Sequence, residues 1–316
     1  MDILQIKNLN LGFNSENGFL QVLNNVSLNL REGKTLAIVG ESGCGKTLTA
    51  MSVLNLLPEN CVIKSGEIIF NDKNLLDLSL KDMSKIRGAQ IALIPQDPMT
   101  SLNPLYTIEN QMLEGILTHK DCDKKEAQKI VLNALDMVRI PNAKDRLKNY
   151  PHELSGGMKQ RIIIAMALCA QAKVIIADEP TTALDVTVQA QILELLNQLQ
   201  KELNTSIIMI THDLGVVKEN ADDICIMYAG QIVERASCDE LFNNPKHPYT
   251  QALLNSVPKS DTKVLKNING APPRLGVKIG GCVFNPRCEK VFDDCKIKYP
   301  EMKCLEHNHC VSCHLY

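Results

Sequence analysis

The sequence predicts an α/β fold with a parallel central sheet and an antiparallel β region near its start. Three apolar runs have the composition of buried strands: 35–39, 174–177 and 206–210. A helix-like stretch at 188–203 lies between the last two runs, and strands that alternate with helices favour a parallel sheet. Residues 1–30 alternate apolar and polar side chains in short runs, which is typical of antiparallel strands.

A glycine-rich segment at 40–47 supports the same fold class. It follows the apolar run at 35–39 and precedes a helix-like stretch at 48–57 that Pro58 ends. The order is therefore strand, glycine-rich loop, helix. Residues 66–150 are more polar and mostly helical by pattern, and an apolar helix is predicted at 160–170.

A change of composition near residue 243 divides the chain. Half of the 14 prolines lie between Pro245 and Pro300, and the periodicity fades there. We therefore predict a catalytic domain at 1–240 and a smaller, loop-rich appendage at 241–316.

The overall composition excludes several classes of protein. Hydrophobic residues make up 45% of the 316 and charged residues 22%, which excludes wholesale disorder, a collagen-like sequence and a coiled coil. The net charge of −2 gives no strong positive field for nucleic acids. The longest uncharged apolar stretch, 162–170, is far shorter than the roughly 20 residues that span a bilayer. The start resembles no secretory signal, so we expect a cytosolic protein.

The segment 40–47, GESGCGKT, matches the pattern G-x-x-x-x-G-K-[ST] in full, and we call it the phosphate loop. Glycines permit tight turns, so successive backbone N–H groups can converge on phosphate oxygens beside the start of a helix. Lys46 is expected to reach the β- and γ-phosphates, and Thr47 to ligate Mg²⁺. The predicted nucleotide-binding residues here are Gly40, Ser42, Gly43, Cys44, Gly45, Lys46 and Thr47. The alternative, a fortuitous glycine-rich turn, is disfavoured by the flanking strand and helix.

The apolar run at 174–177 leads into two acidic residues, Asp178 and Glu179. Ligands of α/β sheets bind at the carboxyl ends of the strands. Asp178 is therefore a candidate to hold Mg²⁺, and Glu179 is a candidate general base for an attacking water. Taken alone, the pair fits an ordinary strand end with solvated acids equally well. Together with the phosphate loop, it indicates nucleotide hydrolysis.

A third motif, LSGGMKQR, occupies residues 154–161. Ser155, Gly156 and Gly157 are predicted to open a helix and so to present free N–H groups to an anion. With this motif the sequence resembles the ATP-binding cassette (ABC) ATPases. Further motifs of that family follow the same order along the chain: Phe13 resembles the aromatic that stacks on adenine, Gln96 in IPQDP the Q-loop, Asp185 in Ala183-Leu184-Asp185 the D-loop, and His212 in ITHD the switch histidine.

This resemblance implies a fold and a mechanism. The fold is a RecA-like core with an antiparallel β region and a helical subdomain at about 95–160. This subdomain carries the motif LSGGMKQR, which is called the signature of the family. The implied catalytic residues are Glu179, His212, Gln96 and Lys46, the implied Mg²⁺ ligands are Thr47, Gln96 and Asp178, and Ser155, Gly156, Gly157 and Asp185 join the nucleotide contacts. The signature of one subunit caps the γ-phosphate bound by another, which implies a dimer with two ATP molecules between the subunits. The structural alternatives are a satisfied histidine for His212 and a core aromatic for Phe13.

Further segments narrow the resemblance to the ATP-binding subunits of dipeptide/oligopeptide-type ABC importers. They are QDPMTSLNP at 96–104, YPHELSGGM at 150–158 and KHPYTQALLNSVP at 246–258. The resemblance implies ATP hydrolysis that drives peptide import from the cytoplasmic face of a membrane. The implied partners are two membrane-spanning permease subunits, a second ATP-binding subunit (a copy or a paralogue) in a head-to-tail dimer, and indirectly an extracellular solute-binding protein, with no nucleic acid.

Three other functions stay open at this point. Nickel importers belong to the same branch and carry the same C-terminal extension, which here is residues 241–316. The substrate therefore does not follow from the resemblance. A soluble ABC ATPase of DNA repair or translation is disfavoured by the single cassette and the net charge of −2. A non-hydrolysing partner subunit is disfavoured by the intact Lys46, Glu179 and His212.

Six of the twelve cysteines fall in the last 35 residues: Cys282, Cys288, Cys295, Cys304, Cys310 and Cys313. A cytosolic chain keeps its thiols reduced, so this cluster predicts metal ligands before it predicts disulfides. The first three have the spacing C-x5-C-x6-C. Four thiolates can hold a [4Fe–4S] cluster or a tetrahedral zinc ion.

The resemblance favours the iron–sulfur cluster, because some members of this transporter branch carry one in the extension. Their fourth ligand is the cysteine of a Cys-His pair, which here is Cys313-His314. Zinc is an alternative, since Cys310 and Cys313 form C-x2-C beside His307 and His309. Unligated thiols are the third alternative. Cys304 and Cys310 depart from the family pattern as spare or alternative ligands.

Overall fold

The structure is a computed structural model that describes residues 1–16, 18–182, 184–256, 268–274, 276–277 and 279–316, without the side chain of His307. Ala183 of the predicted D-loop and residues 257–258 of the predicted tail segment lie outside the described residues. The chain forms two compact units. The first unit comprises Met1–Asp77 and Ile210–Tyr316, and the second unit comprises Leu78–Met209. The predicted boundary near residue 240 stays a prediction.

The strands of the described residues are, in chain order, β1 (Asp2–Ser15), β2 (Gly18–Arg31), β3 (Thr35–Val39), β4 (Cys61–Phe70), β5 (Lys73–Asn74), β6 (Ile91–Ile94), β7 (Val174–Asp178), β8 (Ser206–Thr211), β9 (Asp223–Tyr228), β10 (Gln231–Ser237), β11 (Lys303–Cys304) and β12 (Cys310–Val311).

The helices are α1 (Lys46–Val53), α2 (Leu80–Ser84), α3 (Pro98–Ser101), α4 (Ile108–His119), α5 (Lys124–Met137), α6 (Ala143–Arg146), α7 (Gly156–Ala170), α8 (Val186–Leu203), α9 (Leu214–Asn220), α10 (Cys238–Asn243), α11 (Pro248–Ser256) and α12 (Asp293–Ile297). No helix within the described ranges is long and apolar enough to cross a bilayer.

The first unit contains an antiparallel sheet with the strand order β2-β1-β4-β5. The predicted antiparallel region at 1–30 is therefore confirmed. A second set of strands has the order β11-β12-β10-β9-β3, in which β3 pairs with β9 in parallel and the other pairs are antiparallel. Every residue of β3 is buried, as expected of a short apolar strand at the centre of a sheet.

The second unit combines parallel strands with a group of helices. Strand β6 pairs with β7 in parallel register, with Ile91 opposite Val174. Helices α4, α5 and α7 pack on one another. The parallel pairs β3–β9 and β6–β7 confirm the parallel sheet that the sequence predicts.

The strands β6, β9 and β10 were not predicted, and 66–150 is less helical than its pattern suggests. β6 is only four residues long, and a short apolar run fits one helical turn as well as a strand. The end of β4 also lies in the region 66–150. Few of its residues are fully buried, so its sequence lacks the regular alternation that predicts a strand.

The core of the first unit runs from the central strands into the C-terminal segment. The rings of Tyr228, Tyr249 and Phe284 pack together, with centroids 4.6 to 5.2 Å apart. Cys282 and Cys295 belong to the same buried cluster as Val39 of β3. The cysteine-bearing segment therefore shares a hydrophobic core with the strand that carries the phosphate loop.

Candidate functional site

The phosphate loop follows β3 directly and leads into α1, whose first residue is Lys46. At Gly40 the chain passes so close to its neighbours that a Cβ would lie 2.2 Å from the backbone oxygen of Met227 and 2.8 Å from Sγ of Cys44. Only glycine fits at this point. The predicted strand, loop and helix are thereby confirmed.

Lys46 and Cys44 are the buried side chains of the loop. Nζ of Lys46 donates hydrogen bonds to the backbone oxygens of Gly40, at 2.8 Å, and Glu41, at 3.1 Å. Burial raises the pKa of the Cys44 thiol, although the charge of Lys46 opposes the shift, so the thiol is neutral at pH 7. Ser42, Gly43 and Thr47 are exposed and accessible to a ligand.

A cavity of about 700 Å³ opens beside the loop, within the first unit. Its wall includes Ser42, Gly43 and Cys44 of the loop. Further lining residues come from β2 and from the C-terminal segment: Phe19, Leu20, Val22, Pro272, Pro273, Arg274, Gly276, Val277, Ile279 and Val283. This volume suits a ligand the size of a nucleotide.

Phe13, the residue predicted to stack on adenine, lies outside this lining. It is half-buried on β1, opposite Leu20 of β2. Phe19 supplies an aromatic ring in the cavity wall instead. Sequence reasoning missed Phe19 and the C-terminal lining residues, because each comes from a segment without a recognisable motif.

Glu41 of the phosphate loop forms an ion pair that the sequence did not indicate. The guanidinium of Arg287 donates to both of its carboxylate oxygens, at 2.6 and 3.0 Å. The backbone N–H of Glu41 donates a hydrogen bond to the hydroxyl of Tyr249 at 3.1 Å. The pattern of motifs gives no signal for these contacts, since the partners lie more than 200 residues away in the sequence.

In the second unit, two of the predicted catalytic side chains lie together. Nε2 of Gln96 donates to the carboxylate of Glu179 at 3.0 Å, and the hydroxyl of Thr182 donates to the same oxygen at 2.9 Å. Asp178 ends β7 and is buried. Glu179 has φ of 47°, a left-handed conformation that is rare for residues other than glycine and that occurs most often at functional sites.

The predicted signature segment begins a helix, as expected. Ser155 is the N-cap of α7, and its side chain accepts from the N–H of Met158 at 3.4 Å. Gly156 and Gly157 form the first turn, where backbone N–H groups lack partners inside the helix.

Two further predicted residues also lie at element ends. Asp185 caps α8 by accepting from the N–H of Val188 at 3.0 Å. His212 directly follows β8, in the first unit, and is exposed. Their contacts with a nucleotide stay predictions.

Four of the six C-terminal cysteines line a second, smaller cavity of the first unit. Cys282, Cys288, Cys295 and Cys313, which we call the cysteine site, carry free thiols that face it. Cys304 and Cys310 form a disulfide instead, although the sequence favoured metal ligands over disulfides for this cluster. Among the residues that the structure describes, no group of three or more His, Cys, Asp or Glu side chains is arranged to hold one metal ion.

The electrostatics of the cysteine site disfavour free thiolates. Burial, together with the charges of the neighbouring cysteines, raises the pKa of Cys282 to about 11. Burial also raises the pKa of Cys288 and of Cys313. Without a cation, these sulfurs are therefore protonated at pH 7.

His247, which lines the cavity of the cysteine site, has one ring nitrogen without a hydrogen-bond partner among the described residues. His247 is buried, and its Nδ1 accepts from the N–H of Tyr249 at 3.0 Å. Burial lowers the pKa of His247 to about 4, so the ring is neutral and its hydrogen is on Nε2. Within the described part of the chain, Nε2 has no hydrogen-bond partner. A hydrogen-bond acceptor placed in the cavity, such as a sulfide or thiolate, would satisfy this nitrogen.

Comparison with known proteins identifies two family regions in the chain. The ABC transporter family matches residues 23–182, and the C-terminal region of the oligopeptide/dipeptide transporter family matches residues 233–295. The chain is 48% identical over 316 residues to the dipeptide transport ATP-binding protein DppD of Bacillus subtilis (strain 168), covering 99% of this chain and 94% of that protein. It is 45% identical over 315 residues to the oligopeptide transport ATP-binding protein OppD of Haemophilus influenzae, covering 99% and 97%.

A solved structure supports the same relationship. The dimeric post-hydrolysis state of the ATP-binding cassette MJ0796, bound to ADP and Pi, superposes with a TM-score of 0.67 at 27% identity. The match covers 74% of this chain and 98% of that chain. The predicted cassette fold is thereby confirmed.

Proposed function

Because this chain belongs to the oligopeptide/dipeptide transporter branch of the ABC ATPases, and so hydrolyses ATP, we propose that it energises the uptake of dipeptides or oligopeptides across a membrane. The phosphate loop, with its cavity of about 700 Å³, carries the proposal. The chain also matches both family regions, and its relatives are named for dipeptide and oligopeptide transport.

In the first unit, the phosphate loop binds the nucleotide. The N–H groups of Ser42, Gly43 and Gly45 face the phosphates, Lys46 pairs with the β- and γ-phosphates, and Thr47 ligates Mg²⁺. The burial of Lys46 supports this role, because a buried ammonium beside backbone carbonyls exchanges those contacts for a stronger one with a phosphate. His212 is assigned to the γ-phosphate.

In the second unit, Glu179 acts as the general base and Asp178 as a ligand of Mg²⁺. The hydrogen bond between Gln96 and Glu179 supports this assignment, since it orients the carboxylate from one side. A carboxylate held by two donors keeps its position while it accepts a proton from water.

The signature segment acts across a dimer interface in this proposal. Ser155, Gly156 and Gly157 present the N-terminus of α7 to the γ-phosphate bound by a second ATP-binding subunit, and Asp185 contributes beside them. The head-to-tail dimer forms with a copy of this chain or with a paralogue. Light scattering of the Glu179→Gln variant with ATP distinguishes the two, because a doubled mass indicates self-association.

Two membrane-spanning permease subunits supply the transport path, and the chain docks on them at the cytoplasmic face of the membrane. An extracellular solute-binding protein delivers the peptide.

Uptake measured in the host organism tests the proposed transport. A strain that lacks this chain is complemented with the wild-type chain or with Lys46→Ala, and uptake of a labelled dipeptide, a labelled oligopeptide and nickel ions is measured. We expect only the wild-type chain to restore peptide uptake, with nickel uptake equal in all strains. Loss of nickel uptake with normal peptide uptake would support the nickel alternative and contradict the peptide assignment.

We further propose that the cysteine site holds a [4Fe–4S] cluster. Its four free thiols face one cavity, and the neutral His247 offers a hydrogen bond there. The disulfide between Cys304 and Cys310 disfavours zinc bound through Cys310. One zinc ion also requires ligands that converge at about 2.3 Å, whereas the thiolates of a cluster bind separate irons. When bound, the cluster would cross-link the loops and the short helix of residues 282–313 that carry its four cysteines.

Metal analysis of anaerobically purified protein tests this site. We expect about four iron atoms per chain, acid-labile sulfide and broad visible absorption. Cys295→Ser should lower the iron content, whereas Cys61→Ser, which removes a free thiol outside the cavity, should not. One zinc per chain would support the zinc alternative, and no metal would indicate unligated thiols.

A further inference from the structure

The side chain of Arg287 joins the cysteine-bearing segment to the phosphate loop by a two-pronged ion pair. Its two terminal nitrogens donate to the two carboxylate oxygens of Glu41, at 2.6 and 3.0 Å. Only 5% of the Arg287 side chain is exposed, and 25% of the Glu41 side chain. A planar pair of this kind is both stronger and more directional than a single charged contact.

Every N–H group of this guanidinium has an acceptor. Besides Glu41, the acceptors are the backbone oxygens of Asn269, at 2.9 Å, and Gly270, at 3.3 Å, and the hydroxyl of Tyr228, at 3.3 Å. An arginine whose five donors are all used cannot rotate without losing several hydrogen bonds. The direction in which Arg287 presents its charge to Glu41 is therefore fixed.

Glu41 passes this constraint to the loop. Its N–H is held by the hydroxyl of Tyr249, and its backbone oxygen accepts from the N–H of Cys44, at 3.3 Å, and from Nζ of Lys46, at 3.1 Å. The side chain, the N–H and the carbonyl of Glu41 are thus held by four different residues. A shift of Glu41 moves the carbonyl that anchors Lys46.

We propose that Arg287 is a positioning residue for nucleotide binding, which acts through Glu41. It keeps the loop in its phosphate-binding shape by neutralising a carboxylate that otherwise stands inside an anion-binding loop. Without Arg287, the negative charge of Glu41 repels the phosphates that the loop binds. The inference rests on the proposed role of the phosphate loop in ATP binding.

Binding of MgADP to the purified full-length chain, together with the KM for ATP, tests this inference. We expect Arg287→Ala to raise the Kd and the KM about tenfold, with kcat changed less than about threefold. Adding Glu41→Gln removes the unpaired charge, so the double variant should return to within about threefold of the wild-type Kd. The control is Arg31→Ala, which breaks a two-pronged but more exposed pair with Asp223 in the same unit and should leave the Kd for MgADP unchanged.

Rescue by Glu41→Gln distinguishes a positioning role from a merely structural one, because loss of packing is not restored by changing Glu41. If Arg287→Ala does not fold, Arg287→Lys with and without Glu41→Gln gives the same comparison, with a smaller expected increase in Kd. An unchanged Kd in a folded Arg287 variant, or a loss that Glu41→Gln leaves in place, overturns the inference. If the wild-type chain itself binds no nucleotide, the proposed function fails, and this inference fails with it.

Discussion

The phosphate loop and the cysteine site lie in the same unit but are built in opposite ways. The loop stands between a buried strand and a helix, and its proposed binding groups are mainly backbone N–H groups that the local fold orients. The cysteine site uses three side chains from loops and one from the short helix α12, and hydrogen bonds between different segments position them. The N–H of Cys282 donates to the oxygen of Cys295 at 2.8 Å, and the N–H of Ser312, next to Cys313, donates to the oxygen of Val233 on β10 at 2.8 Å.

This difference determines what each site tolerates. A site made of backbone groups accepts many side-chain changes but no change in the path of the chain. A site made of thiols depends on each side chain and on the distant residues that hold it. Both sites require a glycine. Gly40 begins the phosphate loop, and Gly281 directly precedes Cys282, the first cysteine of the cysteine site.

The largest expected effect is on the rate of ATP hydrolysis, and it should leave the phosphate loop and the cysteine site intact. Glu179→Gln removes the proposed general base but keeps the shape of the side chain beside Gln96 and Thr182. We expect the rate of phosphate release to fall by a factor of about 100 or more, the usual contribution of such a group. The Kd for MgATP and the iron content should be unchanged.

The matched control is Glu194→Gln, an exposed carboxylate of α8 that lies 4.0 Å from Arg139. It should leave the rate of phosphate release unchanged. A normal rate in Glu179→Gln contradicts the assignment of the general base and leaves the phosphate loop as the sole support for the site.

Gly40→Ala should damage the phosphate loop more than the cysteine site. The added Cβ meets a backbone oxygen at 2.2 Å, which a rotamer change cannot relieve. We expect the free energy of unfolding to fall by about 2–3 kcal/mol and nucleotide binding to weaken strongly. Thermal unfolding and MgADP binding measure the two effects. Gly115→Ala is the control: it lies within α4 with no atom within 4 Å of the added Cβ, so it should be neutral or slightly stabilising.

Gly281→Ala should damage the cysteine site more than the phosphate loop. Gly281 has φ of 67°, and a Cβ there would lie 2.3 Å from the backbone oxygen of Cys295. We expect a cost of about 2 kcal/mol in the free energy of unfolding, and a loss of iron larger than the loss of nucleotide affinity. Equal losses at both sites in both glycine variants would contradict the view that the two sites are built in opposite ways.

The same contrast explains what the sequence could predict. The phosphate loop is contiguous, and its glycines, lysine and flanking elements each follow from local rules, so the motif predicts β3, the loop and α1 together. Helices α7 and α8 follow from periodicity in the same way.

The contacts of the extension could not be predicted by those rules. The pair between Glu41 and Arg287 spans 246 positions, and no local pattern specifies such a contact. The spacing and the family resemblance singled out the same four cysteines that line one cavity, but they did not predict the disulfide between Cys304 and Cys310. Strand β9 also escaped prediction, because its burial depends on neighbours from elsewhere in the chain.

The smallest expected effect is a pH dependence of the C-terminal segment. Nε2 of His309 lies 2.6 Å from the carboxylate of Glu234, and both side chains are buried. Burial lowers the pKa of His309, but the hydrogen bond and charge of Glu234, followed by those of Glu240, outweigh it and raise the pKa. A raised pKa in the folded state means that the pair stabilises the protein below about pH 6.5 and that this contribution is lost as the pH rises through the folded pKa.

His247 has the opposite effect, because burial lowers its pKa to about 4. Its contribution is therefore lost as the pH falls from about 6.5 towards 4, where the unfolded chain binds a proton that the folded chain does not. We expect His309→Gln to destabilise the protein by about 1–2 kcal/mol at pH 6 and by less at pH 9, while the acidic decline is retained. Chemical unfolding of both proteins across this range measures the difference, and a constant difference at every pH contradicts a charged His309. Such a result would leave the extension held by packing and neutral hydrogen bonds, much as the phosphate loop is held by its backbone.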